Sequence, residues 1–328
     1  MPVTLLLPGI LLPSDVVRAL AEPLRSLMLP TLLARARPVA DAEYPAPAHL
    51  GWLADHVFGQ APPAGTAPYA LAALSGTPPP PDAFLWHADP VHLELSRDHL
   101  VVLPLPAPPS DEEADALIKS ADAVVRDAGA TFERAGGRWF LRARRRWDLQ
   151  AAPLTAVLGE PLYDAMPAGD DAPTWNRLLN EIQMTWHAHP VNEAREARGD
   201  PTINSVWLHG GGAWAPLPSI RCGAIHADAP ELRGAAAAAG IPSSASHSAP
   251  RDGALVVWPD AFAACLAHDR DGWITALRAV DARVAGLMRA SDVDIVLAGR
   301  RRTRRYELRS GDRWKFWRSP RLEEALSE

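Results

Sequence analysis

The last third of the chain alternates short apolar strands with amphipathic helices, and this rhythm limits the possible folds more than any other feature of the sequence. Strand-like segments lie at 203–209, 254–258 and 293–298, with helical segments at 231–239 and 272–289. Strands separated by helices form βαβ units, in which the strands run parallel in one sheet and the helices cover its faces. The apolar segment 3–7 has the character of a further buried strand, and we expect it to join this sheet.

The middle of the chain carries another pattern, in which two predicted hairpins flank a helix. The hairpins lie at 91–103 and 130–145, and Ser110 with Glu113 has the capping-box spacing that opens a helix. Hairpins packed against a helix are typical of an α+β subdomain.

These two patterns together predict how the chain is divided. We expect an α/β fold in which residues 1–77 and 200–328 form a mainly parallel core flanked by helices. Residues 82–199 then form a small inserted α+β subdomain with a helical segment that returns to the core.

A polar segment at 187–212 combines histidines, asparagines, arginines and a triple glycine. Apolar residues at helical spacing predict a helix over 175–187 that Pro190 interrupts. A second helix over 191–198 follows, and then a strand that runs into the glycines. The candidate ligand-binding residues are His187, His189, Asn192, Arg195, Asn204, His209, Gly210, Gly211 and Gly212.

Two interpretations of this segment stay open from the residues alone. Arg195 and the glycine amides can donate hydrogen bonds to an anionic, phosphorylated small molecule, because glycines let the backbone approach a ligand closely. Alternatively, the glycines form a tight turn against packed tryptophans, and the asparagines cap backbone groups. A lone triple glycine after a strand does not decide between them.

Composition narrows the class of protein. The 328 residues carry a formal net charge of −6, so the chain lacks the basic character of nucleic-acid-binding proteins. Cys222 and Cys265 are too few for a disulfide framework or a cysteine-based zinc site, and we expect both to be buried structural residues. No apolar run approaches the roughly 20 residues of a membrane span. We therefore expect a cytoplasmic protein with no nucleic-acid or membrane partner.

Two further groups of polar residues have both a functional and a structural interpretation. His87, Asp89 and His92 could bind a metal ion or act as acid and base, although hydrogen bonding to a nearby turn explains them more simply. The basic run at 300–305 could bind phosphate or nucleic acid, although arginine runs are common on solvated edges. We favour the structural interpretation of both groups.

The stretch HPVNEAREARGDPTINSVWLHGGG resembles part of the archaeal-type cofactor-independent phosphoglycerate mutases, which belong to the alkaline phosphatase superfamily. Over essentially its whole length, the chain resembles more closely a bacterial group described either as phosphoglycerate mutases or as RpfE-type regulatory proteins. The segments that carry this closer resemblance are 84–93, 137–141, 178–184 and 203–212. The resemblance implies an alkaline-phosphatase-like, mainly parallel sheet flanked by helices, with a small α+β subdomain inserted.

The residues that catalysis would need depart from the mutase pattern. The mutases hold metal with an aspartate after the first strand, where this chain has Pro8 and Gly9. They carry a serine or threonine nucleophile, where the comparable stretch 45–51 has no hydroxyl. Near the C-terminus they have an aspartate–histidine pair, where this chain has arginines at 300–302, and a histidine cluster is reduced to 267–273. A two-metal phosphotransfer site needs several converging carboxylate and imidazole ligands, so the resemblance implies a scaffold without that chemistry.

The sequence therefore favours a binding protein over an enzyme. We predict a phosphoglycerate mutase-like, cytoplasmic regulatory protein that uses no metal or cofactor and binds a small phosphorylated metabolite or a protein partner. The alternative is an active cofactor-independent phosphoglycerate mutase, or a phosphotransferase with a rearranged site, that would use manganese or zinc. In that case a shifted alignment would supply ligands such as Asp15, Asp41, Asp260 or Asp281.

Overall fold

The structure, a computed structural model, describes residues 1–58, 65–96, 99–103, 105–163, 165–218, 220–290, 292–315, 317–318 and 322–328. The chain divides into a first unit, Met1–Ala61 with Leu217–Glu328, and a second unit, Pro62–Pro216. In the sequence, the second unit is inserted between the two parts of the first.

The chain begins in the first unit, passes through the second unit and returns to the first. The first unit begins with β1 (Val3–Pro8), α1 (Ser14–Ala19), α2 (Ala21–Leu24), α3 (Leu29–Arg35), β2 (Arg37–Glu43) and α4 (Ala48–Leu53). The second unit contains α5 (Ala67–Ser75), β3 (Phe84–Ser96), β4 (His99–Leu103), α6 (Asp111–Val125), β5 (Ala130–Ala135), β6 (Arg138–Ala143), α7 (Leu154–Val157), α8 (Ala172–His187), α9 (Pro190–Arg198) and β7 (Ser205–Ala213). The first unit then resumes with β8 (Ala224–His226), α10 (Pro230–Ala239), β9 (Ser243–Ser244), β10 (Ala254–Val257), α11 (Asp260–Leu266), α12 (Arg270–Ala290), β11 (Val293–Ala298), β12 (Arg302–Leu308) and α13 (Leu322–Leu326).

The first unit is built on a seven-stranded sheet in the order β2-β12-β11-β1-β10-β8-β9. The strands from β11 to β9 are parallel, and β12 and β2 extend one edge antiparallel. β1 is apolar on both faces because Leu5 and Leu7 pack with α1, α3 and α12, whereas Leu6 packs with α4 and α10. This confirms the predicted mainly parallel sheet and the place of the N-terminal strand in it.

The second unit is built on a five-stranded antiparallel sheet, in which β4-β3-β6-β5 form a row and β7 also pairs with β3. α6 and α8 cover one face, where Trp139, Trp175 and Trp186 are buried. α5 covers part of the other face, where Leu85 and Phe140 are buried. The α+β character predicted for the middle of the chain is confirmed.

Local sequence signals in the second unit agree with the structure. Ser110 and Glu113 form the predicted capping box at the start of α6. Pro190 begins α9 directly after α8, and Gly199 ends α9 in the left-handed region with φ of 79°. These signals work because each depends only on the conformation of a few consecutive residues.

The position predicted for strand 203–209 is wrong. The βαβ rhythm places it in the parallel sheet, but β7 pairs antiparallel with β3 in the second unit. The triple glycine also lies inside β7, where Gly212 pairs with Leu85, and does not form a turn after the strand. A strand pattern indicates burial and extension, and it does not identify the partner strand.

The division of the chain also differs from the predicted one. Residues 62–77 and 200–216, assigned from the sequence to the core, belong to the second unit. The reason is packing, since α5 lies on Leu85 and Phe140 and β7 pairs with β3. Within the part of the chain that the structure describes, no helix is long and apolar enough to cross a membrane.

Candidate functional site

The candidate residues at the start of α9 are bonded to backbone groups. The Nδ1 atom of His189, which precedes the helix, accepts a hydrogen bond from Val191 N at 3.2 Å. The buried Asn192 amide donates to the carbonyls of Trp186 and Ile203, each at 2.9 Å, and its oxygen accepts from Ile203 N at 2.8 Å. Asn192 thus ties the end of α8 to the segment that enters β7.

Arg195 forms a buried ion pair. Its side chain is 4% exposed, and its Nη1 donates to Glu113 Oε2 at 2.9 Å. Its Nε donates to the Pro201 carbonyl at 2.8 Å, while Arg198 donates to the other Glu113 oxygen at 2.6 Å. Burial alone would raise the pKa of Glu113, but the hydrogen bonds from Arg198, Ser110 and Arg195 hold it below its usual range. The guanidinium of Arg195 therefore connects α9 to the first turn of α6.

Asn204 and His187 lie apart from these contacts. Asn204 bonds with its side chain to both backbone groups of Leu93, accepting from N at 2.7 Å and donating to O at 2.8 Å. His187 is the last residue of α8, and its side chain is exposed. Ligand binding by these residues stays a prediction, and the contacts present in the structure are structural ones.

β3 and β7 place three titratable side chains on one face of their sheet. His87 lies opposite His209, so the two imidazole rings stack with centroids 4.7 Å apart and an interplanar angle of 20°. Asp89 follows two residues along β3, and its Oδ2 lies 2.7 Å from His209 Nε2. Thr66, which precedes α5, brings its Oγ1 to 3.2 Å from His87 Nε2. We call Thr66, His87, Asp89 and His209 the β3–β7 cluster.

Burial and neighbouring charges determine the protonation states of His87 and Asp89 in the β3–β7 cluster. Burial, together with the positive charges of His209 and Arg138, lowers the pKa of His87 to about 3 despite the opposing charge of Asp89. Burial acts to raise the pKa of Asp89, but the hydrogen bond and charge of His209 outweigh it and leave the pKa below its usual range. At neutral pH, His87 is therefore a neutral imidazole and Asp89 a carboxylate that accepts the N–H of His209.

Glycines bring Thr66 into the cluster. A Cβ atom on Gly210, whose φ is +59°, would lie 2.5 Å from Thr66 Oγ1. A side chain on Gly65 would overlap the backbone of Gly210 and Gly211, and one on Gly211 would overlap the indole of Trp86. The segment that carries Thr66 thus lies directly on β7, and close packing explains two of the three consecutive glycines, Gly210 and Gly211.

The β3–β7 cluster has the groups needed to bind an anion. The Thr66 hydroxyl and the His209 imidazole are hydrogen-bond donors, and their side chains are partly exposed. The first turn of α5 adds backbone N–H groups that no intrahelical carbonyl can accept, together with the positive end of the helix dipole. Asp89 orients His209 in the way that a carboxylate orients an imidazole in many active sites.

Sequence reasoning found part of this cluster and missed Thr66. His87 and Asp89 were singled out with His92, but His92 Nδ1 instead lies 2.8 Å from the Thr202 carbonyl. Thr66 stands in a Gly-Thr-Ala-Pro stretch before an apolar helix, a pattern typical of a helix N-terminus. That signal marks a hydroxyl at a positive helix end, although it does not show which strand lies beside it.

Three of the four carboxylates that a shifted alignment would supply as metal ligands have other partners. Asp281 accepts hydrogen bonds from Met28 N and Leu29 N at the start of α3. Asp260 pairs with Arg283 at 3.0 Å and Asp41 with Arg304 at 3.4 Å. Asp15 is exposed on α1.

The described residues of the first unit do not offer the ligands of a two-metal site. Among all the residues that the structure describes, no three His, Cys, Asp or Glu side chains are grouped so that they could hold a metal ion. At the ends of β1 and β11, where a parallel sheet usually binds its ligand, the chain has Pro8-Gly9 and Gly299-Arg300.

Comparisons with known proteins point to one group. A segment of 73 residues is 33% identical to a 2,3-bisphosphoglycerate-independent phosphoglycerate mutase of Methanothrix thermoacetophila, and it covers 22% of this chain and 18% of that protein. The chain thus matches less than a fifth of the length of this relative. No protein-family profile matches the chain.

Solved structures show the fold. The PH0037 protein from Pyrococcus horikoshii superposes with a TM-score of 0.55 over 95% of this chain and 89% of that chain, at 15% sequence identity. A cofactor-independent phosphoglycerate mutase from Thermoplasma acidophilum superposes with a TM-score of 0.42 over 94% and 90%, at 14% identity. The PH0037 protein thus shares the α/β fold of this chain, and the matched segment of 73 residues is similar to a phosphoglycerate mutase.

Proposed function

We propose that this is a phosphoglycerate mutase-like binding protein that takes up a small phosphorylated metabolite at the β3–β7 cluster and acts in cytoplasmic regulation. One observation carries the proposal: the Thr66 hydroxyl stands at the N-terminus of α5, beside an imidazole pair that a carboxylate orients. A phosphate group needs several converging donors and a positive field, and helix N-termini supply both.

The charges near the cluster favour an anionic ligand. Arg138 is close enough to lower the pKa of both His87 and Asp89, so its positive charge reaches the cluster. The Asp89 carboxylate is already bonded to His209, which lessens the repulsion it exerts on an approaching anion. The candidate contacts of the ligand are thus Thr66, His209 and the first amides of α5.

The proposal assigns no metal-dependent step to the protein. Three of the four carboxylates that a shifted alignment would supply, Asp41, Asp260 and Asp281, are bonded to arginines or backbone amides. A guanidinium bonded to a carboxylate competes with a divalent ion for that group. The regulatory role rests on the RpfE-type resemblance, and it implies a protein partner that responds to the bound metabolite.

A thermal-unfolding survey tests the binding role. A ligand present at about 100 times its Kd should stabilise the folded protein by about 2.7 kcal/mol. We expect such a shift with 3-phosphoglycerate, 2-phosphoglycerate or phosphoenolpyruvate, and its loss in Thr66→Val and His209→Ala. Thr185→Val, on the exposed face of α8, is the matched control and should keep the shift.

An activity assay distinguishes a regulatory protein from an active phosphoglycerate mutase. Interconversion of 3- and 2-phosphoglycerate by the purified protein with manganese or zinc would refute the proposal. An absence of stabilisation with every phosphorylated metabolite would instead support a scaffold for protein partners.

A second candidate function, phosphotransfer through a rearranged site, is favoured by the distance of 3.2 Å between Thr66 Oγ1 and His87 Nε2. In that reaction the threonine oxygen attacks a phosphate monoester, its proton passes to His87, and the alcohol leaves with a proton from solvent. The low pKa of His87, about 3, makes it a weak base and places this function second. Phosphothreonine at Thr66, detected by mass spectrometry after incubation with a phosphate monoester, would favour phosphotransfer over the binding role.

A further inference from the structure

The turn between β11 and β12 holds a carboxylate of the protein itself. Glu328 Oε1 accepts a hydrogen bond from Arg302 N at 2.9 Å and another from Arg301 N. Two successive backbone N–H groups that point at one oxygen form a concave site for anions, of the kind that phosphate groups occupy in many proteins.

Backbone hydrogen bonds with Leu12 position Glu328 beside this turn. Leu12, which follows β1, donates its N–H to the Leu326 carbonyl at 3.0 Å and accepts the Glu328 N–H at 2.7 Å. Gly299 leaves the space for the carboxylate, because a Cβ atom there would lie 3.0 Å from the carboxyl carbon of Glu328 and 2.9 Å from Leu11 Cβ. The approach of Glu328 thus depends on the glycine at the end of β11.

The neighbouring arginines differ in their exposure. Arg302 pairs with Glu43 at 3.1 Å and Arg304 with Asp41 at 3.4 Å, so these guanidinium groups brace β12 against β2. The side chains of Arg300 and Arg301 are exposed at the turn. The turn also follows β11 at the carboxyl edge of the parallel strands, which is the edge where α/β sheets bind ligands.

We propose that the amides of Arg301 and Arg302 form a binding site for the phosphate group of a phosphate monoester or of free phosphate, and that the Glu328 carboxylate occupies this site from within. A phosphate dianion has more charge and more acceptor oxygens than a carboxylate, but Glu328 competes at the high effective concentration of an attached group. The site admits phosphate when Glu328 leaves it. The proposal is independent of the ligand proposed for the second unit, since it uses none of the residues of the β3–β7 cluster.

Titration with inorganic phosphate, followed by NMR of the backbone amides, tests the site. We expect Glu328→Ala to bind phosphate about tenfold more tightly than the unaltered protein, because a charged competitor for two hydrogen bonds is lost. Glu328→Gln keeps an oxygen acceptor and loses the charge, so it should bind with intermediate affinity. The amides of Arg301 and Arg302 should shift most.

Two controls separate this site from other effects. Glu323→Ala removes a carboxylate from α13, the helix that precedes Glu328, where it pairs with Arg18, and should leave phosphate affinity unchanged. His209→Ala removes a donor of the cluster in the second unit and should also leave these shifts unchanged. Sugar phosphate and inorganic phosphate, titrated in parallel, distinguish a monoester ligand from free phosphate.

Equal affinity in Glu328→Ala, Glu328→Gln and Glu323→Ala would overturn the proposal. So would phosphate-dependent shifts that leave the amides of Arg301 and Arg302 unmoved. Both results keep their meaning if phosphate fails to bind the second unit, which would count only against the proposed function.

Discussion

Buried histidines are held neutral in the folded protein, and acid should therefore weaken the fold. Burial lowers the pKa of His87 to about 3 and that of His49 to about 4. An unfolded histidine has a pKa of about 6.5, so below that pH the unfolded chain binds more protons than the folded protein. Stability is complete above pH ~6.5 and is lost as the pH falls toward these lowered values, by up to about 1.4 kcal/mol per pH unit for each histidine.

His87→Gln should flatten this acid dependence. Urea unfolding at about pH 7 and about pH 5, followed by tryptophan fluorescence, should show a smaller loss of unfolding free energy in the variant. His187→Gln replaces an exposed histidine of the same unit and should behave like the unaltered protein. An identical loss in both variants would mean that His87 titrates normally in the folded state.

Gly210 is required by both its conformation and its surroundings. Gly210→Ala forces a residue with a side chain to φ of +59° and drives its Cβ toward Thr66. Gly199 has φ of +79° with nothing within 4 Å of its would-be Cβ, so Gly199→Ala isolates the cost of the conformation. We expect Gly199→Ala to lose about 1–2 kcal/mol of unfolding free energy, and Gly210→Ala to lose about 1–3 kcal/mol more.

Chemical denaturation measures both losses. Gly210→Ala should also weaken any ligand that binds Thr66, whereas Gly199→Ala should not. Equal destabilisation by the two variants would show that Thr66 moves away at no cost.

At the scale of elements, Asn192 links α8, α9 and the segment before β7. Its amide satisfies three buried backbone groups, two of Ile203 and one of Trp186. Asn192→Ala leaves these groups without partners, and we expect a loss of about 3 kcal/mol or more in unfolding free energy. Asn180→Ala, at an exposed position of α8, should cost much less. Urea unfolding of both variants measures the two losses of unfolding free energy. Similar losses would mean that water replaces the Asn192 side chain as the partner of these backbone groups.

Elements that depend on neighbours in sequence could be predicted, and contacts between distant segments could not. Ser110 with Glu113 predicts a helix start and Pro190 the interruption of the helix before it, and the structure confirms both. The pairing of His87 with His209 joins strands that are far apart in the chain, and no local pattern encodes it. For the same reason Thr66, whose relevance comes from His87, went unrecognised. The triple glycine stands out in the sequence, but its physical reason is visible only in the structure. The segment that carries Thr66 packs directly on Gly210 and Gly211.

At the scale of the whole molecule, each unit has apolar clusters of its own. The second unit buries Trp139, Trp175 and Trp186 between its sheet and helices α6 and α8. A segment with its own core can fold independently. We expect the excised residues 62–216 to unfold cooperatively in urea and to give a dispersed NMR spectrum.

The segment 82–199 is the matched control for that excision. It lacks α5 and β7, so β3 loses the partner strand along one edge and the core loses Val206 and Leu208. We expect it to be unfolded or aggregated. Cooperative unfolding of 82–199 would show that β7 is dispensable, and failure of 62–216 to fold would show that it depends on the rest of the chain.

The alternation of residues along β3 makes the polar pair a safeguard against misalignment. Trp86 and Ala88 face the core under α6 and α8, while His87 and Asp89 face the other side. A slip of one residue in pairing would exchange the two faces. It would carry an imidazole and a carboxylate into a tryptophan-lined interior and expel an indole from it, so an alignment shifted by one residue is much less stable than the native one. His87 and Asp89, which resemble active-site residues, thus also help to specify the register in which β3 pairs with its neighbours.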